Sequence, residues 1–463
     1  MLSPPAKIAA TAGLAAAVIS GMILWTWNKP ARALPSFAAQ TGQPCSACHI
    51  GAFGPQLTPL GRAFKIGGYT QTGGQGLLSQ IPLAAMTIGS FTHTQTDQPE
   101  PPEPHFGDNN NFAWDLASWF FAGRVTDFLG AFVQGTYDGV TRSVSLDNTD
   151  IRLTTLLNLG NSELRMGLDV NNGPTIQDPY NSTYAWIFPF TTSALAPTPT
   201  AQPLLAGGLF HNTIGTTVYG WYDRSLYFEA GGYTGLGPTA LRITGNSLRP
   251  GAIANYAPYL RLAYEWNWAG QSAHIGGLAF YAALNPATGP ISSDGSFGRD
   301  QYVDYGIDGG YQFLGDGTHT ATIDAIFLHE YQNLKGSFNM GTSSQPVNHL
   351  NQARVNLTYF YQRTYGINFG WQNTWGNANP ALYAPAPVTG SANGKPNSNS
   401  FIMEADWVPF GKQDSWGAPL ANLKLGAQYI IYTRFNGASH NYDGFGRSAS
   451  DNNTLYLYAW LAF

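Results

Sequence analysis

Two cysteines and a neighbouring histidine are the residues of this sequence whose types and spacing could perform chemistry. Cys45 and Cys48 are the only cysteines in the chain, and His49 follows directly, which makes a C-x-x-C-H motif. Two thiols at this spacing reach the two vinyl groups of one haem, and the adjacent histidine supplies an axial ligand to its iron. The motif therefore predicts one covalently attached haem c.

Three other chemistries fit the motif less well. A thioredoxin-like redox pair does not require His49, and no βαβ pattern surrounds the two cysteines. A zinc site needs further ligands nearby, but the next histidine is His93. A structural disulfide across two residues of an irregular loop is sterically poor.

The sequence leaves the second axial ligand of the predicted haem open. Met86, His93 and His105 are the candidates nearest in sequence, and Met86 is favoured because it shares one strand face with three polar residues that suit a lumen, Ser90, Thr92 and Thr94. His93 lies an odd number of positions away and would point to the opposite face. A distant residue such as His329, whose face is shared with Phe327 and Tyr331, and an open five-coordinate iron are the remaining alternatives.

Residues 34–80 are expected to form a small cytochrome segment around the haem. Thr58 is placed to cap a helix that starts at Pro59 and ends at Gly67 and Gly68. The side chains expected to face the haem are Leu57, Leu60 and Phe64. Because one short helix covers one side of the haem plate, the other side requires a lid from elsewhere in the chain.

The N-terminal residues 1–33 are expected to be a signal peptide. Lys7 precedes an apolar run, 8–27, and Ala31-Arg32-Ala33 offers small residues for cleavage near Ala33. The alternative is an uncleaved helix in the inner membrane, because the run is just long enough to span a bilayer.

The composition of the whole chain indicates a transmembrane β-barrel. Of 463 residues, 11% are charged and 14% aromatic, Gly contributes 54, and the formal net charge is −5. The absence of a basic excess argues against a nucleic-acid partner, and a mean hydropathy of −0.16 argues against a bundle of membrane helices. In membrane β-barrels, apolar lipid-facing residues alternate with polar lumen-facing residues, so the two average out.

Residues 81–463 read as an all-β, antiparallel transmembrane barrel of about sixteen strands. Aromatic-rich windows alternate with turns rich in Asn, Asp, Gly and Pro, and the windows are 83–95, 112–124, 126–139, 148–158, 161–171, 206–220, 225–235, 256–268, 272–284, 300–314, 318–331, 350–362, 364–376, 399–409, 420–434 and 454–463. The alternative, a soluble β-sandwich array, would have shorter strands and a more charged surface.

Two features bear on the barrel interior. The longest stretch without a strand pattern, 171–205, is expected either to fold inward as a constriction or to stand outside as a contact surface. Seven acidic residues are expected in the lumen, where they either attract a cation or serve as ordinary wall charges that hold water: Asp150, Asp304, Asp308, Asp324, Glu330, Glu404 and Asp406. No iron-binding residue is assigned among them.

The sequence resembles the fused monohaem cytochrome–porin family of the outer membrane, known from bacteria that oxidise ferrous iron outside the cell. The resemblance covers nearly all of the chain after the signal segment, and it rests on Pro44-Cys45-Ser46-Ala47-Cys48-His49, Gly61-Arg62-Ala63-Phe64-Lys65, Gly68-Tyr69, Gly123-Arg124-Val125-Thr126-Asp127, Asp147-Asn148-Thr149-Asp150-Ile151-Arg152 and Pro174-Thr175-Ile176-Gln177-Asp178-Pro179. It implies Cys45 and Cys48 as attachment sites, His49 as an axial ligand and one-electron transfer across the outer membrane.

The resulting hypothesis is an outer-membrane electron-transfer protein. Single electrons would pass from a small extracellular reductant, Fe(II) first among the candidates, through the haem to a periplasmic electron carrier, and the haem segment would plug the barrel. Membrane lipid would be the other partner. The alternatives are a haem-plugged diffusion porin that senses gas or redox state, and a haem enzyme acting on another small reductant.

Overall fold

The computed structural model describes residues 36–246, 251–289, 292–412, 415 and 421–463. The signal peptide predicted for residues 1–33, with its cleavage site near Ala33, lies outside the described residues. Among the helices of the described part, none combines the length and the apolar character that a membrane crossing requires.

The described residues form one closed antiparallel barrel of sixteen long strands. These strands, β1 to β16, are Leu83–Thr94, Asn111–Arg124, Leu129–Asp138, Ser143–Leu159, Ser162–Asn171, Thr213–Tyr222, Leu226–Gly235, Ala257–Trp268, Gln271–Gly289, Asp300–Phe313, His319–Asn333, Val347–Tyr361, Tyr365–Gly376, Ser398–Trp407, Asn422–Arg434 and Thr454–Ala462. Each strand pairs with its neighbours in sequence, and β1 pairs with β16, which closes the ring. Two short strands, Gly251–Ile253 and Ser292–Ser293, pair with the end of β9.

Every predicted strand window overlaps one of the observed strands, so the prediction of an antiparallel barrel of about sixteen strands is confirmed. The largest difference concerns the window 206–220, because the strand begins at Thr213. The preceding residues belong to a loop that enters the lumen, and Leu204–Ala206 form a 3₁₀ turn there. The apolar side chains in that loop pack inside the barrel instead of on a strand face.

The strands alternate between a lipid-like outer face and a buried inner face. In β8, Leu260 and Leu262 point outward and are more than half exposed. Arg261, which lies between them, is 2% exposed, and Glu265 further along the strand is 1% exposed. In β16, Leu457 is exposed and Tyr456 and Tyr458 are buried, as the alternation in the sequence predicts. An apolar belt outside a polar interior is the pattern of a barrel that spans a membrane.

The two ends of the barrel differ in the length of their connections. At one end the strands are joined by short turns, such as 125–128, 160–161, 269–270 and 362–364. At the other end lie the long connections, including 95–110, 172–212, 377–397 and 435–453. Outer-membrane barrels carry short turns on the periplasmic side and long loops outside the cell, so the short-turn end corresponds to the periplasmic mouth.

The loop 172–212 folds into the lumen, which decides between the two expectations for this stretch. Its Ser182 hydroxyl donates to the Asp308 carboxylate, and the Leu205 backbone N–H donates to Asp304 at 3.0 Å. Five strands further round the wall, Gln428 Nε2 on β15 donates to the Thr191 carbonyl at 3.1 Å. The loop therefore spans the barrel interior and narrows it.

Candidate functional site

The residues before β1 form a plug inside the short-turn end of the barrel. The plug contains three helices, α1 (Ser36–Thr41), α2 (Cys45–Cys48) and α3 (Pro59–Ile66). Thr58 caps α3 by accepting a hydrogen bond from the Gly61 N–H, and Gly67 ends the helix, as the sequence predicts. The start and the end of this helix are therefore set by local residue chemistry.

Buried ionic contacts dock the plug on the barrel wall. Arg62 Nη2 lies 2.7 Å from Glu265 Oε1, and both side chains are 1% exposed. Arg62 also donates to Gln312 and Ser272, at 3.0 and 2.6 Å. The Gln56 amide donates to Asp324 at 2.6 Å. Because a buried charge without a partner is expensive, these pairs hold the plug in one orientation.

The same plug also contacts the inward loop. Lys65 Nζ donates to the carbonyls of Ile176 and Asp178, both at 2.8 Å, and to Asn181 Oδ1 at 3.0 Å. Burial lowers the pKa of Lys65 to about 8. The nearby Asp150 carboxylate raises this pKa, but by less than burial lowers it. The plug, the loop and the wall thus form one connected polar assembly.

The C-x-x-C-H residues lie at the periplasmic end of this assembly. Arg363, in the short turn 362–364, donates to the Ser46 hydroxyl at 3.4 Å. Asn422, the first residue of β15, donates to the Ala52 carbonyl at 2.7 Å. The motif is therefore held beside the mouth at which the short turns lie.

The motif folds as a tight turn that places its three reactive side chains together. The His49 N–H donates to the Cys45 carbonyl and the Thr58 N–H donates to the Cys48 carbonyl, both at 2.9 Å. Both thiols are unpaired and half-buried. Burial raises the pKa of both Cys45 and Cys48 to about 11, and desolvation lowers the pKa of His49 to about 4. The thiols and the imidazole are therefore neutral near pH 7.

A cavity of about 1110 Å³ opens beside this turn, and Cys45, Cys48 and His49 line it. The cavity reaches Asn422 and Trp460 at the short-turn end of the wall. It extends to Thr454 and Ser398, which begin their strands at the long-loop end, and to the inward loop at 196–202. The cavity thus runs from the plug toward the extracellular side of the barrel.

These residues fit a covalent haem c. The motif supplies two free thiols, and His49 Nδ1 is buried without a hydrogen bond of good geometry. Ligand pockets generally measure about 300–1,000 Å³, so the volume leaves room for a large flat cofactor. Wall and loop residues that line the cavity would supply the lid that a haem requires, and they include Ile88, Leu116, Phe120, Phe132, Pro189 and Phe190.

Met86 lines the same cavity, whereas the other candidates for the second axial ligand do not. Met86 Sδ accepts a hydrogen bond from Trp460 Nε1 at 3.3 Å. His93 Nδ1 is 2.9 Å from Asn110 Oδ1 at the long-loop end, and His105 lies in the exposed connection 95–110. His329 lies on the outer face, with its ring 5.0 Å from that of Tyr305.

One predicted contact of α3 is wrong. Leu57 and Phe64 line the large cavity, but Leu60 is 38% exposed and lines a smaller space next to Pro59. The helix instead directs Gly61, Phe64 and Lys65 toward the large cavity. Gly61 packs directly against the Cys48 carbonyl, where a Cβ would have no room, and this close approach sets the rotation of the helix.

The seven acidic residues expected in the lumen are buried inside the barrel, but within the described residues none of them lines the large cavity. Asp150 is paired with Arg152 at 2.9 Å, and Lys424 lies 2.9 Å from both Glu404 and Asp406. They hold wall, plug and loop together rather than face the open space. Sequence reasoning also missed the docking role of Arg62 and Lys65, because their partners lie more than 100 positions away.

The closed strand ladder and its outer apolar belt define the chain as a porin-like outer-membrane β-barrel. No protein-family model matches the chain, and no curated protein matches it. Solved structures with a similar fold include OprB of Pseudomonas putida, 12% identical over 82% of this chain and 94% of that chain, with a TM-score of 0.48.

Two further solved structures have a similar fold. OmpT, an outer membrane protein of Vibrio cholerae, is 10% identical over 82% of this chain and 96% of its own, with a TM-score of 0.41. An anion-selective porin from Comamonas acidovorans is 10% identical over 82% of this chain and 98% of its own, with a TM-score of 0.42. The class of this protein follows from its own strand ladder rather than from these likenesses.

Proposed function

We propose that this protein carries single electrons from a small extracellular reductant, Fe(II) in the first instance, to an electron carrier in the periplasm. The observation that supports the proposal is the position of the C-x-x-C-H turn. It stands at the periplasmic mouth and opens into a cavity that leads toward the extracellular loops. The resemblance to fused monohaem cytochrome–porins points to the same function.

In this proposal Cys45 and Cys48 would hold a haem c as thioethers, and His49 would supply one ligand to its iron. Met86, which lines the same cavity, would supply the second ligand. When bound, the haem supplies one-electron chemistry through its Fe(III)/Fe(II) couple. The C-x-x-C-H motif and the resemblance both predict the cytochrome segment, and the cavity adds a place of suitable size for its cofactor.

The protein's own residues position the reaction and shield it. Arg62 and Lys65 fix the plug against the wall and the inward loop. Phe120, Phe132 and Trp186 add apolar lining, which limits the water around the cofactor. A site shielded in this way exchanges electrons with little solvent rearrangement, because few water dipoles must reorient around the changing charge.

The proposal predicts that ferrous iron reduces the purified, oxidised protein. Stopped-flow visible spectroscopy with Fe(II) at acidic and at neutral pH should show rapid appearance of a reduced c-type spectrum. Each ferrous ion loses one electron, so the iron consumed should equal the haem reduced. Reduction by dithionite serves as the control that the haem is redox-active.

A haem that dithionite reduces but Fe(II) does not would contradict iron as the donor. It would leave the barrel and the haem segment untouched and would favour the second candidate function, a haem-plugged porin that senses gas or redox state. The observation in favour of that candidate is the cavity itself, which gives small molecules a route from the long-loop end to the plug.

A second prediction concerns Met86. Replacing Met86 with Leu keeps the volume but removes the thioether sulfur, so we expect the reduction potential to fall. Methionine ligation raises the potential of c-type haems, and we expect a drop on the order of 0.1 V out of the ~0.8 V that axial ligands span. Potentiometric titration followed by visible absorption measures it.

Met403→Leu is the matched control, because Met403 lies on the outer face of β14 and is 50% exposed. Its potential should equal that of the unaltered protein. An unchanged potential and spectrum in Met86→Leu would remove Met86 from the iron and leave the second axial position to another residue.

A further inference from the structure

A row of three polar side chains crosses the wall of the large cavity. Arg354 on β12 is the register partner of Gln372 on β13, and Gln372 is the register partner of Ser400 on β14. All three line the cavity. Their alignment across neighbouring strands places a guanidinium, an amide and a hydroxyl side by side on one patch of wall.

The charge of Arg354 is not matched by a carboxylate. Its Nε donates to Gln352 Oε1 at 3.1 Å, and its guanidinium carbon lies 4.9 Å from the centre of the Tyr184 ring. Within the described residues it forms no ion pair. By contrast, Arg62, Arg152 and Arg261 each lie against at least one buried carboxylate.

The other two members of the row also have free hydrogen-bonding capacity. Within the part of the chain that the structure describes, neither the side-chain amide of Gln372 nor the hydroxyl of Ser400 forms a hydrogen bond to the protein. Ser400 is only 6% exposed. Both side chains line the cavity and are therefore available to donate hydrogen bonds to a molecule that enters it.

The sign of the cavity lining favours a negative partner. Among the described residues that line the cavity, the only charged side chains besides the titratable His49 are Lys65 and Arg354, and no Asp or Glu lines it. The protein as a whole has a net charge of −5. The cavity is therefore locally positive inside an acidic protein, and its shielded walls strengthen attraction to an anion.

We propose that Arg354, Gln372 and Ser400 bind a small anion that carries a carboxylate or oxyanion group. The planar guanidinium suits such groups, and the amide and hydroxyl add neutral donors. The consequence for electron donation rests on the proposed function: an anionic ferrous complex would reach the cavity faster than the aquated ferrous cation does. One electron leaves the ferrous ion, and its ligands are unchanged.

Isothermal titration of the purified full-length protein with citrate, and separately with sulfate, tests the site itself. Hydrogen bonds to charged groups contribute about 1.5–3 kcal/mol, so Arg354→Gln should weaken binding about 10- to 100-fold. Arg354→Lys should retain part of the affinity because it keeps the charge. Arg224→Gln, in an exposed turn, is the matched control and should bind as the unaltered protein does.

No binding of either anion, or equal binding by Arg354→Gln, would overturn the proposal. The proposal would also be overturned if Arg354→Gln shifted the haem potential and left the anion affinity unchanged. That result would mean that Arg354 binds a haem propionate. Circular dichroism and heat-modifiable migration in gels confirm that each variant retains its barrel, which keeps a loss of binding interpretable.

The electron-donor consequence has its own measurement. Ferrous citrate should reduce the Arg354→Gln protein at least about tenfold more slowly than the unaltered protein. The reason is that the variant lacks the contacts between the Arg354 guanidinium and the citrate. Hexaammineruthenium(II), a cationic donor, should reduce both proteins at equal rates. If anion binding is present but no donor reduces the protein, the electron-transfer function fails and the anion site stands. Equal rates with ferrous citrate would overturn the donor assignment.

Discussion

Replacing Cys45 and Cys48 together with alanine is expected to abolish covalently bound haem. Each thioether requires a thiol, and both thiols line one cavity beside His49. A denaturing gel stained for haem peroxidase activity should show a signal at the full-length protein that disappears in the double variant. Intact mass should fall by one haem in addition to the two sulfur atoms.

Ser46→Ala is the matched control for this prediction. Ser46 lies between the two cysteines, and its hydroxyl contacts Arg363 rather than the large cavity. The control should keep its full haem content. The unaltered protein must be expressed with the cellular machinery that attaches haem c. If it then shows no haem signal, the proposed cofactor is wrong, and the proposed electron transfer has no group to carry the electron.

Replacing Arg62 with Met is expected to loosen the plug without opening the barrel. The substitution removes the ion pair to Glu265 and the hydrogen bonds to Gln312 and Ser272, and it leaves the buried Glu265 carboxylate without its cationic partner. Breaking one side of a buried ion pair costs about 3–5 kcal/mol. Hydrogen–deuterium exchange should therefore rise across residues 36–80, while the strands keep their protection.

The double variant Arg62→Met with Glu265→Leu is the control that separates charge from shape. Replacing both members of a buried pair by apolar groups of similar size is often neutral, so the plug should regain most of its protection. If Arg62→Met alone leaves exchange unchanged, the Arg62–Glu265 pair does not hold the plug. If the double variant exchanges as fast as the single one, packing rather than charge is the cause.

These two predictions address separate parts of one assembly. The cysteine variant removes the attachment of the cofactor and leaves the docking contacts of the plug in place. The Arg62 variant leaves the C-x-x-C-H motif intact and disturbs the position in which the wall holds it. A plug that is loosened but still carries haem would show how far electron transfer depends on the docked position.

The amino-acid sequence by itself determined the strands and the motif. Strand positions follow from a period-two alternation, as in Leu260, Arg261 and Leu262, and such a pattern is local. The cap at Thr58 and the helix end at Gly67 also depend only on neighbouring residues. The C-x-x-C-H motif lies within five consecutive positions, so the prediction of a haem from it required no knowledge of the fold.

Only the tertiary structure decided where these parts meet. Arg62 and Glu265 are 203 positions apart, and Arg354, Gln372 and Ser400 lie on three strands that only the register brings into a row. The inward path of the loop 172–212 and the rotation that turns Leu60 away from the cavity likewise depend on distant packing partners. Barrel closure and strand register decide which charges pair and which remain free to bind a ligand. A local sequence pattern carries no information about closure or register.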